Sequence, residues 1–307
     1  MKVQLQQLRY FVTVAELRHF TRAAERLGVS QPTLSKQIHT LEAALGAPLF
    51  DRSRGAVVLT TAGETLLPLA RRIVGETDTA RDAVQEVVGL RRGRVRLGAT
   101  PSLCTSLVPL VLRDFHERHP DIELHVDEGG SQDLVAELIA HGLDLALIVE
   151  PARGTDPALE TVPLLRESLV VASVAPLSAR IALAELRDTP LVMFRTGYDL
   201  RDTTLEACRR AGFTPRYAVE GGEMDAVLAF VEAGLGVALV PSMALVNRPL
   251  LHAAPLVAPG VHRTIALAQR RESVLPHAAQ AMRATLLDHV SRGPLPVGVQ
   301  AADARKI

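Results

Sequence analysis

Apolar positions in the first sixty residues repeat at helical spacing but change register twice. Residues 5–17 (LQQLRYFVTVAEL) place Leu5, Leu8, Phe11, Val12, Ala15 and Leu17 on one stripe, which predicts an amphipathic helix. The next stretch, FTRAAERLGVSQPTLSKQI, holds two short helical patterns separated by Gly28, Val29 and Ser30. Thr21 is an expected N-cap for a helix over Arg22–Leu27, which Gly28 would end. Ser30 would cap the following helix, with Pro32 in its first turn, where a missing N–H costs nothing. Leu34, Ile38, Leu41 and Leu45 follow a 4-3-4 rhythm, which predicts the buried stripe of that helix, and Gly46 is its expected stop. The face opposite carries Pro32, Lys36 and His39, flanked by Thr33, Ser35 and Thr40. Asp51–Thr60 reads as a short β-hairpin with Arg52, Ser53, Arg54 and Gly55 near its tip.

Thr61-Ala62-Gly63-Glu64 has the form of a capping box. Behind it Leu66, Ala70, Ile73, Thr77, Ala80, Val84 and Val87 form a heptad seam, roughly 37 Å of helix at 1.5 Å per residue. Its simplest partner is a second copy of itself; the alternative is packing along the chain's own carboxyl-terminal body. From Arg91 the period changes, and short apolar strands alternate with helices as far as a last helix over about Pro276–Ser291. That pattern predicts a largely parallel sheet covered on both faces, with the middle forming a second subdomain. The stretch after Gly293 lacks periodicity and is expected to be disordered.

Composition narrows the class. Hydrophobic residues make up 48% and charged residues 22%, a globular profile, and no apolar run approaches a membrane span. No h-region follows Lys2, so the expected location is cytoplasmic. The net charge of zero conceals a split: residues 1–60 carry eight Lys/Arg against four Asp/Glu, and the rest hold 26 bases and 30 acids. A basic head on a mildly acidic body is what a polyanion-binding head requires. The two cysteines, Cys104 and Cys208, lack metal-ligand spacing, and both read as ordinary small side chains. His116 and His119 read as a solvated helix end rather than a metal site. No GxSxG, HExxH, P-loop or GxGxxG is present, so neither catalysis nor a cofactor is expected.

A helix projected by a tight turn, with hydroxyls and a lysine outward, can reach base edges in a major groove of double-stranded DNA. The hairpin arginines can reach phosphates or an adjacent minor groove, and Thr21 can offer a phosphate free N–H groups. Further on, three strand-to-helix junctions present polar groups: Thr100-Pro101-Ser102, Ser131-Gln132 after Gly130, and Arg195-Thr196 with Tyr198. Together they suit a small anion, most simply a carboxylate effector. The competing reading is ordinary N-capping, with Arg195 paired to a nearby acid.

AAERLGVSQPTLSKQIHTLEAALGAPLFDR and LTTAGE resemble the winged helix-turn-helix of the LysR-type transcriptional regulators, and the resemblance extends over nearly the whole chain. It implies a fold with three parts. Residues 1–60 would be a winged helix-turn-helix and residues 61–90 a linker helix for dimerisation. Residues 91–292 would be an α/β effector domain like the type 2 periplasmic binding proteins. Within it, subdomain I would cover about 91–163 and 265–292 and subdomain II about 164–264, with crossovers near Pro163–Glu167 and Pro259–Thr264. Residues 293–307 would be a tail. The resemblance places DNA contacts on Gln31, Pro32, Ser35 and Lys36, with Thr33 beside them and Thr21 and Arg52 or Arg54 in support. It also implies a homodimer or homotetramer. Peroxide-sensing members carry a thiol pair in a stretch that GYDLRDTTLEAC resembles. Here Asp199 takes the first position and Cys208 the second, so the pair is missing. A solute-binding protein or enzyme on the same two-lobe body is the rival reading.

Overall fold

Three helices and a hairpin build the head: α1 Leu5–Leu17, α2 Phe20–Leu27, α3 Gln31–Leu45, β1 Phe50–Asp51 and β2 Val58–Leu59. The long helix α4, Thr61–Val87, follows. The computed structural model describes residues 3–51, 57–87, 93–151, 154–271, 274–293 and 295–302. Arg52 and Arg54, expected near the hairpin tip, lie outside the described residues, as does the end of the chain past residue 302. Residues 1–91 with 136–143 form one compact unit, and residues 92–135 with 144–307 another.

The head closes around Phe11, Leu34, Ile38 and Leu41, all fully buried. Each contributes on the order of 1.5–3 kcal/mol by leaving water. Phe50 locks the hairpin onto this core, its ring 5.3 Å from Phe11 and 5.7 Å from Phe20. Gly28 and Gly46 end α2 and α3 with φ of 65° and 75°, a left-handed turn that residues with a Cβ resist. Three local expectations are corrected. His19, not Thr21, caps α2: its Nδ1 accepts from the Arg22 N–H, and Thr21 sits inside the first turn. Thr60, not Thr61, caps α4, accepting from the Gly63 N–H at 3.1 Å, so Glu64 cannot complete a capping box. Leu45, at the last turn of α3, is exposed because the core ends at Leu41.

The second unit contains β3 Arg94–Ala99, α5 Pro101–Cys104, α6 Leu107–Arg118 and β4 Glu123–Glu128. α7 Ser131–Ile139 begins in it, and β5 Leu145–Val149, β6 Leu159–Ser173, β7 Leu191–Met193 and α8 Asp199–Arg210 follow. Then come β8 Tyr217–Glu220, α9 Met224–Glu232, β9 Ala238–Pro241, β10 His252–Pro255, β11 His262–Arg270, α10 His277–Arg292 and β12 Val299–Ala301. Two apolar cores result, one around Phe115, Leu145 and Met282, the other around Phe194, Met224 and Val240.

The sheet is mixed, not largely parallel. β3 pairs β4 and β5 in parallel and β7 pairs β8 in parallel, but every pairing of β6 and β11 is antiparallel. The reason lies in β6 and β11, which run in opposite directions side by side. β6 pairs β11 as far as Ser168 and β12 over Leu165–Glu167, then takes β9 from Leu169 and β10 from Val170. One strand thus passes from one core to the other. Between β3 and β4 the chain forms two helices, α5 and α6, separated at Thr105 and Ser106. The chain past Gly293, expected to be disordered, returns as β12, because β6 offers it a free edge.

Candidate functional site

The first candidate surface is the amino-terminal face of α3. The Ser30 hydroxyl accepts from the Thr33 N–H at 3.3 Å and lies 2.8 Å from Thr33 Oγ1, which fixes where the helix begins. Gln31, Pro32, Thr33 and Lys36 are exposed and Ser35 is half-buried. Gln31 Nε2 donates to Ser35 Oγ at 3.0 Å, so these two present as a unit. Lys36 has no ion-pair partner among the described residues, and its ammonium is available to an anion. Thr21 is exposed in the first turn of α2, where its own N–H has no helical acceptor.

Glu42 was not singled out from the sequence. Its Oε1 accepts the backbone N–H of Leu49 at 2.9 Å, and Oε2 lies 3.1 Å from His39 Nδ1. This carboxylate ties α3 to the strand that starts the hairpin. It therefore holds the exposed helix face and the hairpin at a fixed mutual angle.

The second candidate lies between the two cores of the larger unit. Thr100 Oγ1 is buried and has no hydrogen-bond partner among the described residues. Pro101 and Ser102 are buried beside it, and Ser102 Oγ accepts from the Arg263 guanidinium at 2.7 Å. Arg263 also donates through Nε to Glu167 at 2.7 Å, and Glu167 takes the Met243 N–H with its other oxygen. Burial raises the Tyr198 hydroxyl and the Asp199 carboxyl, and the charge of Arg263 acts on both in the opposite direction. Asp133, two residues past Ser131, acts on Asp199 as well. Ser131 itself is buried and accepts the Val149 N–H at 3.0 Å, a strand-tying role; Gln132 is exposed.

Arg195 is not a free cation. It is exposed and bound to Glu223 at 2.6 Å, with its guanidinium 5.9 Å from the Tyr198 ring centre; Thr196 is exposed next to it. Tyr198 stacks on Phe194 at 5.0 Å, and burial, then the charge of Glu223, pushes its hydroxyl up to about 12. Burial also raises the Glu128 carboxyl, and the charges of Asp225 and Glu223 raise it further. Glu128 is the register partner of Ala99, so this carboxyl lies beside the junction that offers Thr100 and Ser102. Arg263 and Glu167 were missed as site residues; Glu167, a charge inside the apolar run VPLLRESLVVAS, was a legible signal, and Arg263 left none.

Neither cysteine is poised for redox chemistry. Cys208 is buried, and burial pushes its thiol up to about 11. Cys104 is half-buried, and burial together with the Glu128 charge pushes its thiol up to about 12. Among the described residues no group of three or more His, Cys, Asp or Glu could hold a metal ion, and no helix is long and apolar enough to cross a membrane.

Known proteins match both regions. Residues 5–64 fit the model of the bacterial regulatory helix-turn-helix protein, lysR family, and residues 89–291 fit the LysR substrate binding domain. A probable hydrogen peroxide-inducible genes activator from Mycobacterium avium is 36% identical over 274 residues, covering 87% of this chain and 88% of its own length. The transcriptional dual regulator GltC from Bacillus subtilis is 31% identical over 282 residues, covering 90% and 94%. Among solved structures, a full-length OxyR variant from Pseudomonas aeruginosa superposes with a TM-score of 0.73 at 28% identity, covering 98% of each chain. Full-length CbnR complexed with its target DNA gives 0.68 at 27% identity, covering 95% of this chain and 100% of the other.

Proposed function

The chain belongs to the LysR family of transcriptional regulators, and from that premise we propose that α3 reads promoter DNA while the interlobe cleft senses a small effector. The observation that carries the DNA reading is the outward face of α3, where Lys36 has no ion-pair partner among the described residues and Gln31 is held to Ser35. Lysine neutralises backbone phosphate; an amide and hydroxyls supply donors and acceptors to base edges. Thr21, Pro32 and Thr33 flank that face, and Arg52 and Arg54, outside the described residues, add to the head's positive charge. The solved complex of CbnR with its target DNA supports the same use of the head here. A regulator of chromosomal promoters works in the cytoplasm.

The effector is a small molecule held by the junctions around Thr100, Ser102 and Tyr198. A buried hydroxyl without a partner is costly unless a ligand fills its hydrogen bond, which makes Thr100 the centre of that reading. A carboxylate on the effector would meet Thr100, Ser102, the first N–H groups of the helix and Arg263. The carboxyl groups of Glu128, Glu223 and Asp225 favour a donor or positive group on the same effector. Effector and DNA then compete for the balance between lobe arrangements, each favouring one.

Binding of the purified protein to the intergenic DNA beside its own gene, measured by fluorescence anisotropy across a salt series, tests the head. Lys36→Ala should weaken binding uniformly over sequences and lower the salt slope by about one. A slope unchanged in that variant removes Lys36 from the interface. Thermal-shift screening against aliphatic and amino-bearing carboxylates tests the cleft, with Thr100→Val as the variant that should lose the shift.

A further inference from the structure

A cavity of about 180 Å³ is lined by Arg166, Ser168, His262, Gly298, Val299 and Gln300. It is distinct from the cleft described above. Side chains alternate along a strand, so Arg166 and Ser168 share the face of β6 opposite Glu167. Register sets their neighbours. Gln300 of β12 stands beside Arg166, and His262 of β11 stands beside Ser168. Three strands therefore present four polar side chains to one space. They do so where β6 gives up its partners in one lobe and takes those of the other, the pivot between the lobes.

The polar groups are oriented. Ser168 Oγ lies 3.2 Å from His262 Nδ1, and His262 Nε2 lies 3.2 Å from the Pro259 carbonyl oxygen. A carbonyl only accepts, so Nε2 carries hydrogen and donates to it; in the neutral ring Nδ1 accepts from the Ser168 hydroxyl. The ring is held from both sides. The Ser168 N–H donates to Gly298 at 2.9 Å, which straps the carboxyl-terminal segment across the pivot. Arg166 is exposed and makes no ion pair or hydrogen bond through its guanidinium among the described residues. None of the six lining residues is acidic. The nearest carboxylate in sequence, Glu167, is turned to the other face and engaged by Arg263. The space far exceeds the roughly 10–15 Å³ that one water needs on the same measure.

We propose that this cavity is a second ligand site, taking a compact oxyanion that Arg166 pairs with and to which the Gln300 amide donates. A guanidinium fork matches two oxygens of such a ligand. Bound there, the anion ties β12 to β6 at the pivot and stiffens it. On the effector reading given above, occupancy then changes effector affinity in the cleft, and reciprocally. Binding itself does not depend on that reading.

Titration of the full chain with inorganic phosphate, sulfate and malonate, against chloride at matched ionic strength, tests the site by thermal shift and calorimetry. A saturable shift is expected for at least one oxyanion. Arg166→Gln should weaken it at least about tenfold, the loss of one charge-assisted hydrogen bond, while Arg166→Lys retains part of it. Phosphate and sulfate acting without malonate identify an inorganic ligand; malonate acting alone identifies an organic acid. No shift beyond chloride overturns the proposal. So does a shift that survives Arg166→Gln, or one abolished by Ser102→Ala, which would place the anion in the cleft, or by Lys36→Ala, which would place it on α3. Failure of DNA or effector binding with the phosphate shift intact would count against the functional reading alone.

Discussion

Glu167 and Arg263 form a buried ion pair between β6 and β11, with Glu167 fully enclosed and Nε 2.7 Å from Oε2. They are Cα partners in register, so the strands that join the lobes are clasped by charge as well as by backbone. Glu167 also accepts the Met243 N–H, and Arg263 reaches Ser102. Removing one partner strands the other in low dielectric. Glu167→Ala should therefore destabilise the larger unit by about 3–5 kcal/mol, whereas replacing both residues with packed apolar ones should cost much less. Urea unfolding of the single and double variants checks this. A single variant as stable as the parent would mean that Arg263 escapes to solvent.

Gly63 sits where α4 crosses the loop before the hairpin. A Cβ there would collide with the Leu49 carbonyl oxygen and the Leu59 side chain. On an open helix surface Gly→Ala gains about 1 kcal/mol. Here the sign should reverse, with Gly63→Ala costing about 1–3 kcal/mol through overpacking. The head should unfold at lower temperature, and DNA affinity should fall with it. A stabilised variant would sink the close approach.

The thiols yield a pH prediction. Burial raises Cys208 from 9.0 to about 11 in the folded chain. The folded state then holds its proton more tightly than the unfolded state does. The resulting stability is complete below about pH 9 and is lost as pH rises toward 11. Cys208→Ser should flatten that part of the alkaline stability profile. At neutral pH both cysteines are protonated and poor nucleophiles. Peroxide should leave DNA binding unchanged, despite the similarity to a peroxide-inducible activator. A peroxide response lost in Cys208→Ser would refute this.

Much of the head was legible because punctuation residues act locally. Gly28, Ser30 and Gly46 do in three dimensions what they do in a peptide. Where two candidates were adjacent, Thr60 and Thr61, local chemistry could not choose; the Pro48 carbonyl, which accepts the Thr60 hydroxyl at 2.6 Å, did. The effector body was read correctly as alternating strands and helices but not in strand direction. A buried strand is apolar whichever way its neighbour runs, so the antiparallel pairing of β6 and β11 left no periodic trace. β12 is three residues long, and only the edge of β6 makes it a strand. Arg195 looked like the cleft's cation because its partner, Glu223, is 28 residues away.

The last prediction concerns α4. Ala70 of its heptad seam packs into the head's core, but further along Ile73 is 42% and Val84 64% exposed. Isolated exposed apolar residues are ordinary, but Ile73 and Val84 share one heptad seam, the pattern of a coiled-coil helix. A second copy of α4 in antiparallel or parallel register would cover it. Ile73→Glu with Val84→Glu places like charges on both copies of that seam, so light scattering should find a smaller species at micromolar concentration. The variant head should still fold, because neither side chain belongs to its core. DNA affinity should nevertheless drop, since two heads on one duplex gain the effective concentration that a single head lacks. If the double variant kept the parent's mass and affinity, the seam would have another partner.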